Sequence, residues 1–202
     1  VKLYFVRHGE SQANLLHEFS NRGVKHALTP HGVEQAEAVA QQLCGEKYAC
    51  IHHSPVLRAA QTAGILSERL GVPLQAAEPL REWDVGIYEG TTDPTGWEWH
   101  TRVQEDWFLR GDYDSKMPGG ESYSEIRARF MPFITTLVQR HRQTGDNLIL
   151  VAHGGLYMAM LPELLNIPRD FAMQHGFGYT ACTIARATDE GLVCLSWCGL
   201  KW

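Results

Sequence analysis

No apolar run among the 202 residues approaches the ~20 that a membrane-spanning helix needs. Basic residues are in deficit. Eighteen Lys and Arg stand against 23 Asp and Glu, a formal charge of -5, which argues against a nucleic-acid or membrane-surface partner. An anionic small molecule is not excluded, because a local cationic pocket dominates its own field. The five cysteines (Cys44, Cys50, Cys182, Cys194 and Cys198) are odd in number and form no Cys-x-x-Cys pair. They match no standard zinc spacing and read as reduced, buried thiols of a cytoplasmic protein with no metal site. Internal repeats, low-complexity tracts and linkers are also missing, so one domain over 1–202 is expected. Val1 to Arg7 has the pattern of a strand rather than a signal peptide.

What is present is ordinary globular composition, 44% hydrophobic and 20% charged. A chain of this size buries roughly 70% of its extended surface. Lys2 to Val6 reads as a buried strand. Thr29-Pro30 opens a helix with a cap and an N1 proline. Val33, Ala36, Ala40 and Leu43 are expected on its inner face, and Gly45 past its end. Tyr48 to His53 reads as a strand, and Ser54-Pro55 repeats the cap-and-proline signal before a helix to Leu70. Residues 74–77 suggest a short strand. From 84 to 120 the pattern breaks into a long excursion rich in Trp and acids, helical in part over Thr95–Arg110. Ser122 with Glu125 forms a capping box. The helix after it contains Pro132, which should kink or split it. Asn147 to Ala152 is the clearest strand, and an apolar helix to about Leu165 comes next. Strands over 179–187 and 191–198 close the chain. Strands alternating with helices predict an α/β three-layer sandwich, a mostly parallel central sheet flanked by helices.

Two histidines take equivalent places in that pattern. His8 follows the first strand and His153 follows the strand ending at Ala152. Ligands of open α/β sheets bind outside the carboxyl ends of strands, so both should reach the same edge. Each precedes a glycine, Gly9 and Gly154, which lets a ligand approach the backbone. Arg7 adjoins His8, and Arg58 begins the helix after the second strand. Such like charges would repel one another unless they serve an anion. Guanidinium forks and helix N-termini suit phosphate. A neutral imidazole there can attack phosphorus. One carboxyl group can protonate the leaving alcohol and later activate water; Glu82 is the candidate, with Asp84 and Glu89 as neighbouring alternatives. Burial would raise its pKa and nearby arginines would oppose that. Ser11 fits either a phosphate contact or a helix cap, and Asn14 fits a phosphate contact or a turn. The remaining histidines have no ligand spacing, and the Trp-rich stretch 97–108 fits packing or a ligand platform.

These segments resemble the histidine phosphatase superfamily, the phosphoglycerate mutase-like enzymes. Arg7-His8-Gly9-Glu10-Ser11 with Asn14 is similar to its signature. The resemblance continues through Leu28-Thr29 to Gln35-Ala36, then Ser54 to Ala63. Leu80-Arg81-Glu82 with Gly86 and Glu89-Gly90 comes next, then Pro118 to Ser122, and finally Val151 to Gly155. It implies His8 as phosphorylated nucleophile and Glu82 as proton donor. Arg7, Arg58 and His153 would clamp the phosphoryl group, with Gly9, Ser11, Asn14 and Gly154 binding substrate. It implies neither metal nor organic cofactor.

Mutases of the family resemble a longer form, with a basic, Tyr-containing segment after the catalytic Glu. Here Trp83-Asp84-Val85-Gly86-Ile87-Tyr88 stands instead, and 84–120 carries only Arg102, Arg110 and Lys116 against several acids. The expected activity is therefore phosphomonoester hydrolysis of a small metabolite whose body is less acidic. Phosphoglycerate mutase and non-catalytic phospho-ligand binding are the alternatives. No nucleic-acid or membrane partner is expected, and the apolar tail offers an edge strand for a homodimer.

Overall fold

The structure, a computed structural model, describes residues 1–202. In chain order its strands are β1 (Lys2–Arg7), β2 (Tyr48–His53), β3 (Leu74–Ala76), β4 (Asn147–Ala152), β5 (Cys182–Thr188), β6 (Gly191–Trp197) and β7 (Leu200–Lys201). The helices are α1 (Gln12–Leu16), α2 (Pro30–Gln42), α3 (Leu57–Leu70), α4 (Pro94–Glu105), α5 (Tyr123–His141), α6 (Gly154–Leu164) and α7 (Arg169–Gln174). The strands form one sheet of order β3-β2-β4-β1-β5-β6-β7. The β3-β2-β4-β1 half is parallel. β5, β6 and β7 add antiparallel pairings, so the sheet as a whole is mixed. No helix is long and apolar enough to cross a membrane.

The central strands lack polar alternation because both faces are covered. Leu3 and Phe5 of β1, with Leu148, Leu150 and Ala152 of β4, face a core shared with α5, α6 and the Trp-bearing excursion. Tyr4, Val6, Ile149 and Val151 face the opposite core, built on Ala36, Val39 and Ala40 of α2 and Ala59, Ala63 and Leu66 of α3. β1 and β4 are in register, Arg7 opposite Ala152. The next residues, His8 and His153, therefore leave the sheet side by side.

Local signals explain most elements. Thr29 accepts the Gly32 N–H and caps α2, with Pro30 inside its first turn. The Ser122–Glu125 capping box starts α5. Four expectations need correction. Val33 is 38% exposed, and Val39 takes the inner position instead. α3 begins at Leu57 rather than after Ser54; Ser54 Oγ accepts the Val56 N–H ahead of the helix and is needed elsewhere. Pro132 does not split α5, whose buried face continues through Phe130, Ile134 and Leu137 on both sides of it. Of the five thiols expected to be buried only Cys194 is; Cys44 is exposed and Cys50, Cys182 and Cys198 are half-buried. The excursion is more ordered than its composition suggests: α4 runs into one π turn over Asp106–Arg110, and Trp83 and Trp107 are fully buried, edge to face at 5.0 Å.

Candidate active site

The carboxyl ends of β1, β2 and β4 open into a cavity of about 440 Å³. Its floor holds Arg7, His8, Arg58, Glu82, Gly154 and Gly155. His8 is buried, and its Nδ1 lies 2.7 Å from the Gly9 carbonyl oxygen. A carbonyl only accepts, so Nδ1 carries the ring proton and Nε2 keeps its lone pair. Arg58 Nε donates to that Nε2 at 3.0 Å. Burial first, then Arg58 and Arg7, push the imidazole well below its ordinary pKa, against the Gly9 hydrogen bond. The result is a neutral ring with a lone pair aimed into a cationic pocket.

Arg58 also donates to the Ser20 carbonyl oxygen. Its own burial lowers its pKa to about 10, with Glu82 opposing. Arg7 donates to Phe177 O and lies over the Tyr179 ring, 4.4 Å from its centroid. His153 Nε2 sits 2.8 Å from Ser54 Oγ. Ser54 Oγ accepts the Val56 N–H, and its hydroxyl proton has no acceptor other than His153 Nε2, so we assign it there. His153 then carries its own proton on Nδ1. Arg7 Nε and His153 Nδ1 are both buried without a protein partner. Unsatisfied buried donors each cost about 1–3 kcal/mol, and an anion at this end of the cavity would relieve that cost for Arg7, which lines it.

Glu82 lies opposite, half-buried and with little water around its carboxyl group. Its Oε1 accepts the Trp83 N–H at 3.1 Å and its Oε2 the Gly155 N–H at 3.0 Å. Burial raises its pKa, with the Trp83 N–H, Arg58 and the Gly155 N–H opposing in that order. The alternatives Asp84 and Glu89 are engaged elsewhere. Asp84 pairs with Arg22, and Glu89 accepts the backbone N–H groups of Asn21 and Arg22. Only Glu82 lines the cavity among the three.

The structure therefore brings Arg7, His8, Arg58, Glu82 and Gly154 to one cavity, with Asn14 at its rim. His153 stands behind the floor, its ring 5.2 Å from His8 in an edge-on arrangement. Ser11 and Gly9 do not line the cavity. Ser11 Oγ donates to Asn14 Oδ1 at 2.8 Å and so orients the Asn14 amide. Gly9 is small for its neighbour: an added Cβ would lie 2.4 Å from Gly32 O, where α2 crosses. Gly155, which sequence reasoning passed over, has a sharper need. A Cβ there would lie 2.8 Å from Glu82 Oε1.

Beyond the floor, Phe19 stacks on Trp97 at 4.0 Å and Trp83 stacks on His100 at 4.7 Å. With Met158, Phe177 and Glu18 they wall the rest of the cavity. The Trp-rich stretch thus does both jobs: Trp107 packs and Trp97 faces the cavity. Ser54, Phe177, Tyr179 and Glu18 went unread in sequence because each acts through a contact distant along the chain. Arg7, Arg58 and Glu82 are the only groups of formal charge on the floor, and they suit binding and transfer of a phosphoryl group.

A fold of this topology with His8, Arg58 and Glu82 at the floor of one cavity defines a class of phosphoryl-transfer proteins. Residues 3–199 match the Histidine phosphatase superfamily (branch 1), and the chain belongs to that superfamily. It is 35% identical over 166 residues to the putative phosphoserine phosphatase 2 of Hydrogenobacter thermophilus, covering 82% of this chain and 79% of that protein. It is 27% identical over 172 residues to the probable phosphoglycerate mutase GpmB of Yersinia pestis, covering 83% and 76%. Among solved structures, a mycobacterial glucosyl-3-phosphoglycerate phosphatase in complex with VO3 aligns at a TM-score of 0.81 and 26% identity, over 97% of this chain and 98% of that one.

Proposed function

We propose that the chain is a metal-independent phosphomonoester hydrolase that works through a phosphohistidine on His8. The observation that carries this reading is the His8 ring itself, neutral, with its Nε2 lone pair directed at the guanidinium of Arg58. In the first step Arg58 Nε–H leaves Nε2 for a phosphoryl oxygen, and the freed lone pair attacks phosphorus as the ester P–O bond breaks. The departing alcohol oxygen takes the Glu82 proton. Arg7 and Arg58 hold the equatorial oxygens, with the Asn14 amide at the rim, and His153, behind the floor, would add its Nδ1–H once the phosphoryl group is seated against His8. In the second step water attacks phosphorus, gives its proton to Glu82, and the P–N bond breaks to release inorganic phosphate. Glu82 suits both roles because burial keeps it protonated at higher pH than a free carboxyl group.

The relatives include proteins named as phosphatases and as phosphoglycerate mutases. A mutase must hold a second acidic group while phosphate returns. Here no Lys or Arg lines the cavity except Arg7 and Arg58, both at the phosphate end. That supports hydrolysis of a small ester with a less acidic body, and the stretch 84–120 as the element that selects it. The test is a screen over sugar phosphates, nucleotides, phosphoamino acids, phosphoglycerates and aryl phosphates, with and without chelator. Release of inorganic phosphate unaffected by chelator is expected. Isomerisation of 3-phosphoglycerate to the 2-isomer without release would establish the mutase instead.

A further inference from the structure

The hydrolase reading accounts for the phosphate end of the cavity, and the specificity inferred for the other end rests on that reading. The other end holds a carboxylate that the reaction does not use. Glu18 lines the cavity, and its side chain is only about 10% exposed. Its place is fixed by the backbone. His17 ends α1 in the left-handed region, φ 50°, and the Glu18 N–H donates to Ala13 O at 3.0 Å. Phe19 N–H donates to Thr91 O, and Gly90 N–H returns to Phe19 O. The segment is thereby stitched to the far wall.

One face of the Glu18 carboxylate is held. Lys25 Nζ donates to Oε1 at 2.5 Å, and the buried His26 ring meets the same oxygen through Nε2 at 2.9 Å. These hydrogen bonds hold the carboxyl group below its ordinary pKa, so it is ionised and can only accept. Both contacts fall on Oε1, which leaves Oε2 without a protein partner in a side chain that lines the cavity. The adjoining walls are Phe19, Trp97, Met158 and Phe177. Aromatic and thioether surfaces screen a charge poorly, so an anion brought near Glu18 meets repulsion and a donor meets attraction.

We infer that Glu18 is a specificity residue that selects phosphate esters whose alcohol carries a hydrogen-bond donor, an ammonium best, and rejects esters bearing a second anionic group. The Lys25-His26 pair, which has no role in phosphoryl transfer, then has a purpose: it fixes the carboxylate that reads the body of the substrate.

The experiment measures kcat/KM for ethanolamine phosphate, propyl phosphate and 3-phosphoglycerate. Wild type is expected to rank them in that order. Glu18→Gln keeps the shape and removes the charge. It should lower the ethanolamine-to-propyl ratio by about tenfold, mainly through KM, and raise the relative rate on 3-phosphoglycerate. Lys25→Ala keeps the His26 contact that holds Glu18 and removes an exposed counter-charge, so it should move the ethanolamine-to-propyl ratio the other way, by about two- to fivefold. This second variant keeps the test decisive if Glu18→Gln does not fold. Equal changes for all three esters would mark Glu18 as merely structural and overturn the inference, as would a wild-type preference for 3-phosphoglycerate. Absence of phosphate release from every ester would instead sink the hydrolase reading, and this inference with it.

Discussion

At the scale of single residues, the proposed mechanism divides labour between a nucleophile whose pKa burial lowers and a proton donor whose pKa burial raises. His8 is held neutral by burial and two guanidiniums, and burial raises the Glu82 carboxyl above its ordinary pKa. Glu82→Gln should therefore lower turnover of alkyl phosphates by about 10²–10⁴. Aryl phosphates with good leaving groups need less proton donation and should lose far less in the phosphorylation step. Burst kinetics across a leaving-group series checks this; equal losses for every leaving group would remove Glu82 from the donor role. Most of this division was legible in sequence. Arg7, His8 and His153 are tied to strand ends, and Arg58 to a helix start, so their meeting follows from strand order alone. Choosing Glu82 over Asp84 and Glu89 needed three dimensions, because the difference lies in partners from residues 21 and 22. Glu18 was invisible for the same reason.

At the scale of elements, strands and helices with strong periodicity were readable. The strand at Tyr48–His53 and the helix start at Ser122 carry their own local chemistry. The readings that missed were ones in which a side chain serves another element. Ser54 looks like a helix cap, yet its hydroxyl reaches across to β4's end and His153. Ser54→Ala should leave α3 intact, since the cap of that helix is Val56. It frees the His153 ring and removes the partner that fixes its proton on Nδ1. A rise in KM, or weaker inhibition by inorganic phosphate, is expected, with a stability loss confined to the two buried hydrogen bonds of the hydroxyl, about 1–3 kcal/mol in all. Gly155→Ala has a different signature. The added Cβ would strike Glu82, so activity should fall as it does for Glu82→Gln while phosphate binding persists. Retained full activity would show that α6 shifts freely and does not set the carboxylate. The tail was read as two strands, and β7 was missed because two residues carry no period.

At the scale of the whole molecule, the same burial that tunes the site makes stability depend on pH. His8 and His153 lie well below the ordinary histidine value, and His52 and His100 lie near about 4. Burial is the leading cause in each. For such groups the unfolded chain binds protons more readily than the folded one between about pH 4 and 6.5. Their contribution is thus complete above about pH 6.5 and is lost as pH falls toward the folded values. The thermal midpoint should drop between pH 7 and pH 5, and inorganic phosphate should restore part of it in wild type. In Arg58→Ala the restoration should be weaker. A midpoint that rises on acidification across that range would contradict the assignment of neutral buried rings. This behaviour was not foreseeable from a net charge of -5, because it depends on which histidines the fold encloses.

The central claim is that His8 Nε2 takes the phosphoryl group. Rapid mixing of the protein with a ³²P-labelled phosphomonoester, an alkaline quench and mapping of the labelled peptide tests it directly. The expected result is a base-stable, acid-labile phosphohistidine at His8 that forms and decays at rates consistent with turnover, and that is absent from His8→Ala together with activity. Turnover in wild type with no label on His8, or unchanged turnover in His8→Ala, would contradict the account.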